Sequence, residues 1–378
     1  MIANLCAEQG HRVFIHTFDN AGGRPTYPLH TGIEVRTHRE RPTPVNEMQI
    51  LLELTTQCPD LVIGLHLDRG FYQYVYYAHR LGVPLLLSEH DNPVYTHKMG
   101  RFFKEERDVI FFGADRIHLL ADTFLETLSP SLWDRVRIIP NTATEPELPA
   151  RLESGSGPKT VLYVGRLVPV KRVANLLVAI SAAVKEAPDW RLQIAGDGRE
   201  EQPLRTLAGK LGLSRDEILF MGRIEDTYAL YRAASILVLP SEWEAQSLVV
   251  IEAMAHGLPV VACKDCQGMD ALVRDGVTGL LTDPGPGLAR ALTRLMRDPV
   301  LLAEMGKAGR ERYEKEFAPE AFGKRWLALI EETAAISEPV ARQANILHQW
   351  PEAALEQAFA QGAGANVAKV IQMSRGKK

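Results

Sequence analysis

The residues best suited to chemistry stand together in the second half of the chain, in Pro240-Ser241-Glu242-Trp243-Glu244-Ala245-Gln246-Ser247-Leu248-Val249-Val250-Ile251-Glu252-Ala253-Met254-Ala255-His256-Gly257. The apolar run predicts a helix from about Ser247, with the hydroxyl as cap, to Gly257, a helix-ending glycine. Glu244 falls in the loop before it. Glu252 falls about five residues inside, roughly 7–8 Å along the axis at 1.5 Å per residue. The two carboxylates thus bracket a helix start whose free N–H groups, at Ser247 and Leu248, attract an anion. Each carboxylate can accept hydrogen bonds from hydroxyls. The grouping suits a phosphate with a polyol on either side, the pattern of a nucleotide sugar. The plainer reading is a pair of solvated glutamates, but Glu252 sits in an apolar run, where an unpaired carboxylate is costly.

A second cluster, Tyr163-Val164-Gly165-Arg166-Leu167-Val168-Pro169-Val170-Lys171-Arg172, follows a predicted strand. Gly165 frees the backbone at the strand's end, and Arg166 and Lys171 lie on the loop and helix start beyond it. Two fixed cations there would neutralise a diphosphate, and their charge-assisted bonds strengthen as a leaving group gains charge. A basic surface loop is the alternative, and Arg172 reads as solvated.

Positioning these residues requires strands that end beside one another. Continuous Val/Ile/Leu runs predict strands at Arg12–Phe18, Ile33–Thr37, Asp60–Leu67, Val83–Ser88, Arg116–Leu120 and Val136–Ile139. The rhythm recurs at Lys159–Val164, Trp190–Ala195, Ile218–Met221, Ser235–Leu239, Pro259–Ala262 and Gly279–Leu281. Non-alternating runs belong to strands covered on both faces. Amphipathic stretches lie between them, such as Val173, Leu176, Leu177, Ile180 and Val184. The alternation implies right-handed crossovers and two α/β, Rossmann-like, doubly wound parallel-sheet domains facing a cleft. The expected divisions are residues 1–145, residues 146–320, a terminal crossing helix over 321–338 and a tail over 339–378. Thr142–Pro158 has linker composition.

The first domain begins inside a helix, Ile2–Gly10, without an opening strand or glycine-rich turn. Either the native start lies upstream, or the tail fills that strand's place through Ala368–Met373, or the first domain is defective. The upstream start is the reading taken.

The 378 residues, 46% apolar and 24% charged with a formal net charge of −4, describe a folded chain and not a disordered one. The balance of 43 Lys+Arg against 47 Asp+Glu argues against nucleic acid as a partner. No run reaches the about 18 apolar residues of a membrane span, and the N-terminus lacks signal-peptide character. Four cysteines suit reduced thiols in a cytoplasm. The spacing in Cys263-Lys264-Asp265-Cys266 has no second pair to complete a zinc site, so these read as loop cysteines. His97–Val109 mixes basic and aromatic residues in a way that would suit an anionic membrane surface. Glu105, Glu106 and Asp108 dilute that pattern, so a solvated helix is expected.

Together these elements resemble the retaining glycosyltransferases of family 4, which have the GT-B fold. The resemblance runs from about Ile2 to Ala335. It is most specific in the Gly165-Arg166…Lys171 loop, the Ala195-Gly196-Asp197-Gly198 turn, Phe220-Met221-Gly222 and the glutamate pair. It implies that Glu244 contacts donor-sugar hydroxyls, Glu252 the ribose, and Arg166 and Lys171 the diphosphate. The loop Gly222-Arg223-Ile224 would touch the base through its backbone. It also implies that no metal is needed, and the sequence has no Asp-x-Asp to hold one. Ser88-Glu89-His90-Asp91-Asn92-Pro93 is similar to a family segment whose histidine, here His90, faces the donor sugar. His66 and Asp68 are weaker candidates for the same edge, and Tyr27-Pro28-Leu29 matches a feature with no assigned role. Where the family often has Gly-Phe-Gly after the first glutamate, this chain has Ala245-Gln246-Ser247, so Gln246 is expected to supply a side-chain contact.

The implied reaction is transfer of a hexose from a nucleoside diphosphate sugar to an acceptor hydroxyl with retention. The acceptor would be a glycan or lipid-linked, in bacterial surface polysaccharide or glycolipid assembly. No cofactor beyond that donor is implied. The expected location is the cytoplasm, with peripheral contact at the inner membrane face left open. The alternatives are a catalytically impaired nucleotide-binding relative, and a GT-B epimerase or phosphorylase.

Overall fold

A computed structural model describes residues 1–17, 28–38, 44–65, 71–100, 104–148, 150 and 159–340. All twelve predicted strands form. In the first lobe they are β1 (Val13–Thr17), β2 (Ile33–Thr37), β3 (Val62–Leu65), β4 (Leu85–Ser88), β5 (Arg116–Leu119) and β6 (Val136–Ile138). In the second they are β7 (Lys159–Val164), β8 (Trp190–Ala195), β9 (Ile218–Gly222), β10 (Ile236–Leu239), β11 (Val260–Cys263) and β12 (Gly279–Thr282). Every strand pairing among the described residues is parallel.

The second lobe is one six-stranded sheet in the order β12-β11-β10-β7-β8-β9. Counted within the lobe, that is 3-2-1-4-5-6, the dinucleotide-fold order, whose direction reverses between β7 and β10. Strands β10 and β11 are buried throughout. On one flank the helix Val173–Glu186 buries Val173, Leu176, Leu177, Ile180 and Val184, the stripe read from the sequence. Each such side chain contributes about 1.5–3 kcal/mol by leaving water.

The described strands of the first lobe form two sheets, β1-β2 and β3-β4-β5-β6. The segment Ala368–Met373 lies outside the described residues. The chain returns from the second lobe through a π-turn at Tyr313–Phe317 into the helix Pro319–Ala334. That helix packs Phe322, Trp326, Leu329 and Ile330 against Cys6, Leu86 and Ile139 of the first lobe. Its Glu332 takes Arg116 at 2.8 Å and also pairs with Arg137.

Two expectations need correction. The helix Lys104–Phe112 is not solvated: its Arg107 and Asp108 are buried along with Val109, Ile110, Phe111 and Phe112. Arg107 and Asp108 have internal partners, described below, so charges that dilute the pattern are here paired inside the fold and not solvated. The junction is also less free than its composition suggests. Thr142 and Ala143 are buried, and Ala143 O accepts from Tyr313 Oη at 2.9 Å. Residues 151–158 of the linker lie outside the described set.

Candidate active site

The loops after β7 and β10 meet where the strand order of the second lobe reverses, the usual ligand position in open α/β sheets. Main-chain bonds tie the loop after β7 to its neighbours. Gly165 N donates to Ala195 O at 3.0 Å, Leu167 N to Asp197 O at 2.7 Å, and Glu242 N to Val170 O at 2.8 Å. The turn after β8 approaches so closely that a Cβ on Gly196 would lie 1.9 Å from Gly165 O, and one on Gly198 2.3 Å from Leu167 O. Only glycine fits at either place. Gly196 N also donates to Gly222 O at 2.7 Å, which brings the end of β9, with Gly222, Arg223 and Ile224, beside the same turn.

Lys171 ends a short 3-10 turn and reaches across to Glu244, with Nζ to Oε1 at 2.5 Å. Both side chains are largely shielded, at 15% and 13% exposure, so the pair is set into the loop junction. Arg166 is exposed and makes no ion pair among the described residues. Arg172, expected to be solvated, instead straps three loops. It pairs with Asp265 at 2.8 Å and reaches Glu242 at 3.7 Å, from a left-handed backbone conformation with φ 50°.

The helix after β10 spans Leu248–Ala255. Ser247 occupies its cap position, but the hydroxyl makes no capping bond, which corrects the expectation of a hydroxyl cap. The Ser247 and Leu248 N–H groups donate to no protein acceptor among the described residues. An open helix start of this kind favours an anion. Glu252 lies one turn deeper and accepts from Tyr231 Oη at 2.6 Å. Burial raises the Glu252 carboxyl above its ordinary value, with Tyr231 opposing the rise. His256 stacks on Tyr231 and bonds Glu252 O through Nδ1 at 2.8 Å.

The first lobe meets this loop with side chains. Asn92 accepts from Val94 N and Tyr95 N, capping the helix Pro93–Lys98, and its Nδ2 donates to Glu244 O at 2.7 Å. Gln246 turns toward the first lobe: Nε2 donates to Leu120 O at 3.2 Å, and Oε1 accepts from Asn141 N. Gln246, expected to contact a donor, thus also joins the lobes through its amide. Lys98 pairs with Glu242 at 3.3 Å and lies over the Trp243 ring.

His90 belongs to a hydrogen-bonded relay. His118 Nε2 lies 2.7 Å from Ile139 O, which can only accept, so Nε2 carries the proton. Burial lowers the His118 pKa to about 3, so the ring is neutral and its Nδ1 is bare. Ser88 Oγ must then donate to Nδ1 at 2.8 Å, and can only accept from His90 Nε2–H at 2.9 Å. The relay fixes the tautomer of His90. The adjacent Glu89 is structural: it forms a buried fork with Arg107, whose Nε lies 2.7 Å from Oε1 and whose Nη2 lies 2.5 Å from Oε2. Asp108 is held by Ser129 Oγ at 2.5 Å.

The structure therefore joins Gly165, Arg166, Lys171, Glu244, Ser247 and Leu248 through contacting loops, with Glu252 on the same helix. Gly222, Arg223 and Ile224 lie next to the β8 turn, and His90 sits two residues before Asn92, which grips the Glu244 loop. His66, Asp68 and Tyr27 lie outside the described residues. Sequence reasoning missed Asn92, Tyr231, His118 and the strap at Arg172. Asn92 had a signal, since Asn-Pro marks a helix cap followed by proline at the first helical position; the others had none. Burial pushes the Cys263 and Cys266 thiols up to about 11 and about 12, so neither is a poised nucleophile.

Residues 144–312 match the family model of glycosyl transferases group 1. The matched stretch takes in every loop just described from β7 to β11. The chain is 35% identical over 237 residues to an exopolysaccharide phosphotransferase of Streptomyces coelicolor, a match covering 61% of this chain and 25% of that protein. It spans 53% of a glycosyltransferase of Haemophilus influenzae, so it matches a quarter to about half the length of these relatives. Sucrose-phosphate synthase from Thermosynechococcus elongatus superposes with a TM-score of 0.71 at 23% identity, covering 88% of this chain and 91% of that one. Anabaena HepE, solved in complex with UDP and glucose, superposes with a TM-score of 0.66 at 18% identity, covering 85% of this chain and 100% of that one. The two-lobed fold is GT-B. Among the described residues, no helix is long and apolar enough to cross a membrane.

Proposed function

We propose that this chain transfers a hexose from a nucleoside diphosphate sugar to the hydroxyl of a glycan or lipid-linked acceptor, with retention at the anomeric carbon. The setting is the assembly of a bacterial surface polysaccharide or glycolipid. One observation carries the reading: the shielded Lys171–Glu244 pair at 2.5 Å, beside an open helix start and the uncommitted cation Arg166. The family model over residues 144–312 and the likeness to a fold that holds UDP and glucose support it.

In this reading Arg166, Lys171 and the Ser247 and Leu248 N–H groups receive the diphosphate. Their attraction grows as the bond to the sugar breaks and negative charge collects on the leaving oxygen. Glu244, oriented by Lys171, accepts from sugar hydroxyls, and Glu252, held by Tyr231, accepts from the ribose. The Gly222–Ile224 backbone meets the base. His90, oriented by Ser88 and His118, contacts the donor sugar. The acceptor hydroxyl enters on the face the diphosphate leaves, and its proton passes to the departing phosphate oxygen. The residues act by binding and electrostatics and need no resident metal.

A panel of nucleoside diphosphate sugars, scored by thermal stabilisation, identifies the donor, since a ligand at a hundredfold its Kd adds about 2.7 kcal/mol. Product anomers are then read by NMR with candidate acceptors. Arg166→Ala and Lys171→Ala should each lower turnover at saturating donor. Unchanged turnover in both removes their role, an inverted product removes retention, and donor binding without any transfer favours the impaired-relative reading.

A further inference from the structure

The first lobe holds another convergence of ligating side chains, on elements that carry none of the residues discussed above. His16 lies in β1, His38 directly follows β2, and Glu53 and Gln57 lie on the helix Pro44–Gln57. The strand ladder sets the two histidines side by side, because His38 N donates to Thr17 O at 2.8 Å and continues the β1–β2 pairing by one residue. Glu53 and Gln57, four apart, share one helix face.

His16 Nδ1 lies 3.0 Å from His38 Nε2. With a carboxylate oxygen of Glu53, the three ligand atoms all fall within 4.8 Å of one another. His16 Nε2 lies 3.0 Å from Gln57 Oε1, which can only accept, so the proton of a neutral His16 resides on Nε2 and Nδ1 presents a lone pair to the cluster. A hydrogen bond between the two imidazoles would account for the nitrogens alone. It leaves Glu53 Oε2 buried and without a partner among the described residues, while Oε1 has only a 3.4 Å contact with Gln49. A buried carboxylate oxygen beside two imidazoles is costly unless a cation meets it.

We propose that His16, His38 and Glu53 bind a divalent transition-metal cation of the zinc type, with Gln57 fixing the orientation of His16. Zinc–nitrogen bonds of about 2.0–2.1 Å at a tetrahedral angle place two nitrogens about 3.3 Å apart, close to the separation seen here. Imidazole and carboxylate are the ligands zinc takes, and three protein ligands on a half-buried site leave the fourth position to water. Gln57 supplies what ligating histidines commonly have, an acceptor on the second ring nitrogen. The cation would link β1, β2 and the helix Pro44–Gln57, the part of the first lobe whose strands are not hydrogen-bonded to β3–β6 among the described residues. Such a link couples metal binding to stability and leaves the proposed transfer chemistry untouched.

The test uses the untagged full chain, stripped with a chelator and titrated with zinc in competition with a chromophoric chelator. Cobalt then serves as a spectroscopic probe. One equivalent should bind, raise the thermal midpoint, and give the intense visible bands of tetrahedral cobalt. Glu53→Gln, nearly isosteric, and His16→Gln should abolish that equivalent. Gln57→Ala should weaken it about 10–100-fold. Cys58→Ser, which removes an exposed thiol, should leave it intact. If His16→Gln fails to fold, Glu53→Gln decides. The proposal falls if the wild-type chain takes up no zinc, or if Glu53→Gln keeps the full equivalent with unchanged affinity.

Discussion

The two lobes reach the cleft by different physical means. In the second lobe the loops after β7, β8 and β10 are fastened to one another by main-chain bonds such as Leu167 N to Asp197 O at 2.7 Å, over one continuous six-stranded sheet. In the first lobe the residues near the cleft depend on buried polar side chains: Glu89 with Arg107, and His90 with Ser88 and His118. A site built from backbone tolerates most side-chain changes and fails at its glycines. A site built from buried charges fails when one partner is lost, because the other is left uncompensated.

The largest expected effect follows from that contrast. Arg107→Met leaves the Glu89 carboxylate buried with no cation, and should cost about 3–5 kcal/mol in urea unfolding. Adding Glu89→Gln in the same chain should recover most of the loss. The exposed second-lobe pair Arg205–Glu201, at 2.9 Å, should be worth only about 0.3–0.5 kcal/mol when broken by Arg205→Ala. Equal losses at the two pairs would erase the distinction between the lobes.

Lys171→Ala tests the second lobe where it does depend on a side chain. If the proposed transfer is right, turnover at saturating donor should fall about 10²–10³-fold, the range for removing a donor aimed at developing negative charge. Glu244 would also lose its partner, so donor affinity should fall with it. A variant whose turnover matches the wild type would show the Lys171–Glu244 contact to be structural.

The same contrast explains what could be read from the sequence. Main-chain architecture leaves strong traces: unbroken Val/Ile/Leu runs gave all twelve strands, and the glycines at 165, 196 and 198 marked loops that pack backbone to backbone. The glutamates, Lys171 and Arg166 were legible because they sit in such loops at short spacing. Side-chain networks leave almost none. Glu89 and Arg107 are 18 residues apart, and His118 and Ser88 are 30 apart. No local pattern distinguishes a buried Arg107 from a solvated one, so the helix Lys104–Phe112 was misjudged. The bonds of Gln246 across the lobes leave no local trace for the same reason: its partners, Leu120 and Asn141, are more than a hundred residues away.

Gln246 also offers a smaller test, placed where the lobes touch. Gln246→Ala leaves Leu120 O and Asn141 N–H without the amide that joins them. Unsatisfied buried groups of this kind cost about 1–3 kcal/mol each in unfavourable cases. A loss in that range, with strand content unchanged by circular dichroism, would support a clasp between lobes. A neutral effect would show that this amide does not hold the lobes together.

The last expected effect is a slope, spread over several pH units so that it is small at any one pH near neutrality. Burial lowers His118 from 6.5 to about 3 in the folded chain, so between those values the unfolded state takes up a proton that the folded state refuses. The stabilisation from this neutral histidine is complete above pH 6.5 and declines as pH falls toward about 3. Its greatest slope is about 1.4 kcal/mol per pH unit. Burial raises the carboxyls of Glu89, Asp108 and Asp115, which gives the opposite sign: their folded forms hold protons longer as pH rises. The wild-type curve alone therefore mixes both contributions. The difference between wild type and His118→Asn isolates one of them, because the carboxylates are common to both chains. The variant should be less stable at neutral pH, and its disadvantage should shrink steadily on acidification below pH 6.5. Parallel curves would mean that His118 does not enter the folded chain as a neutral ring, and the tautomer assigned to His90 through Ser88 would lose its basis.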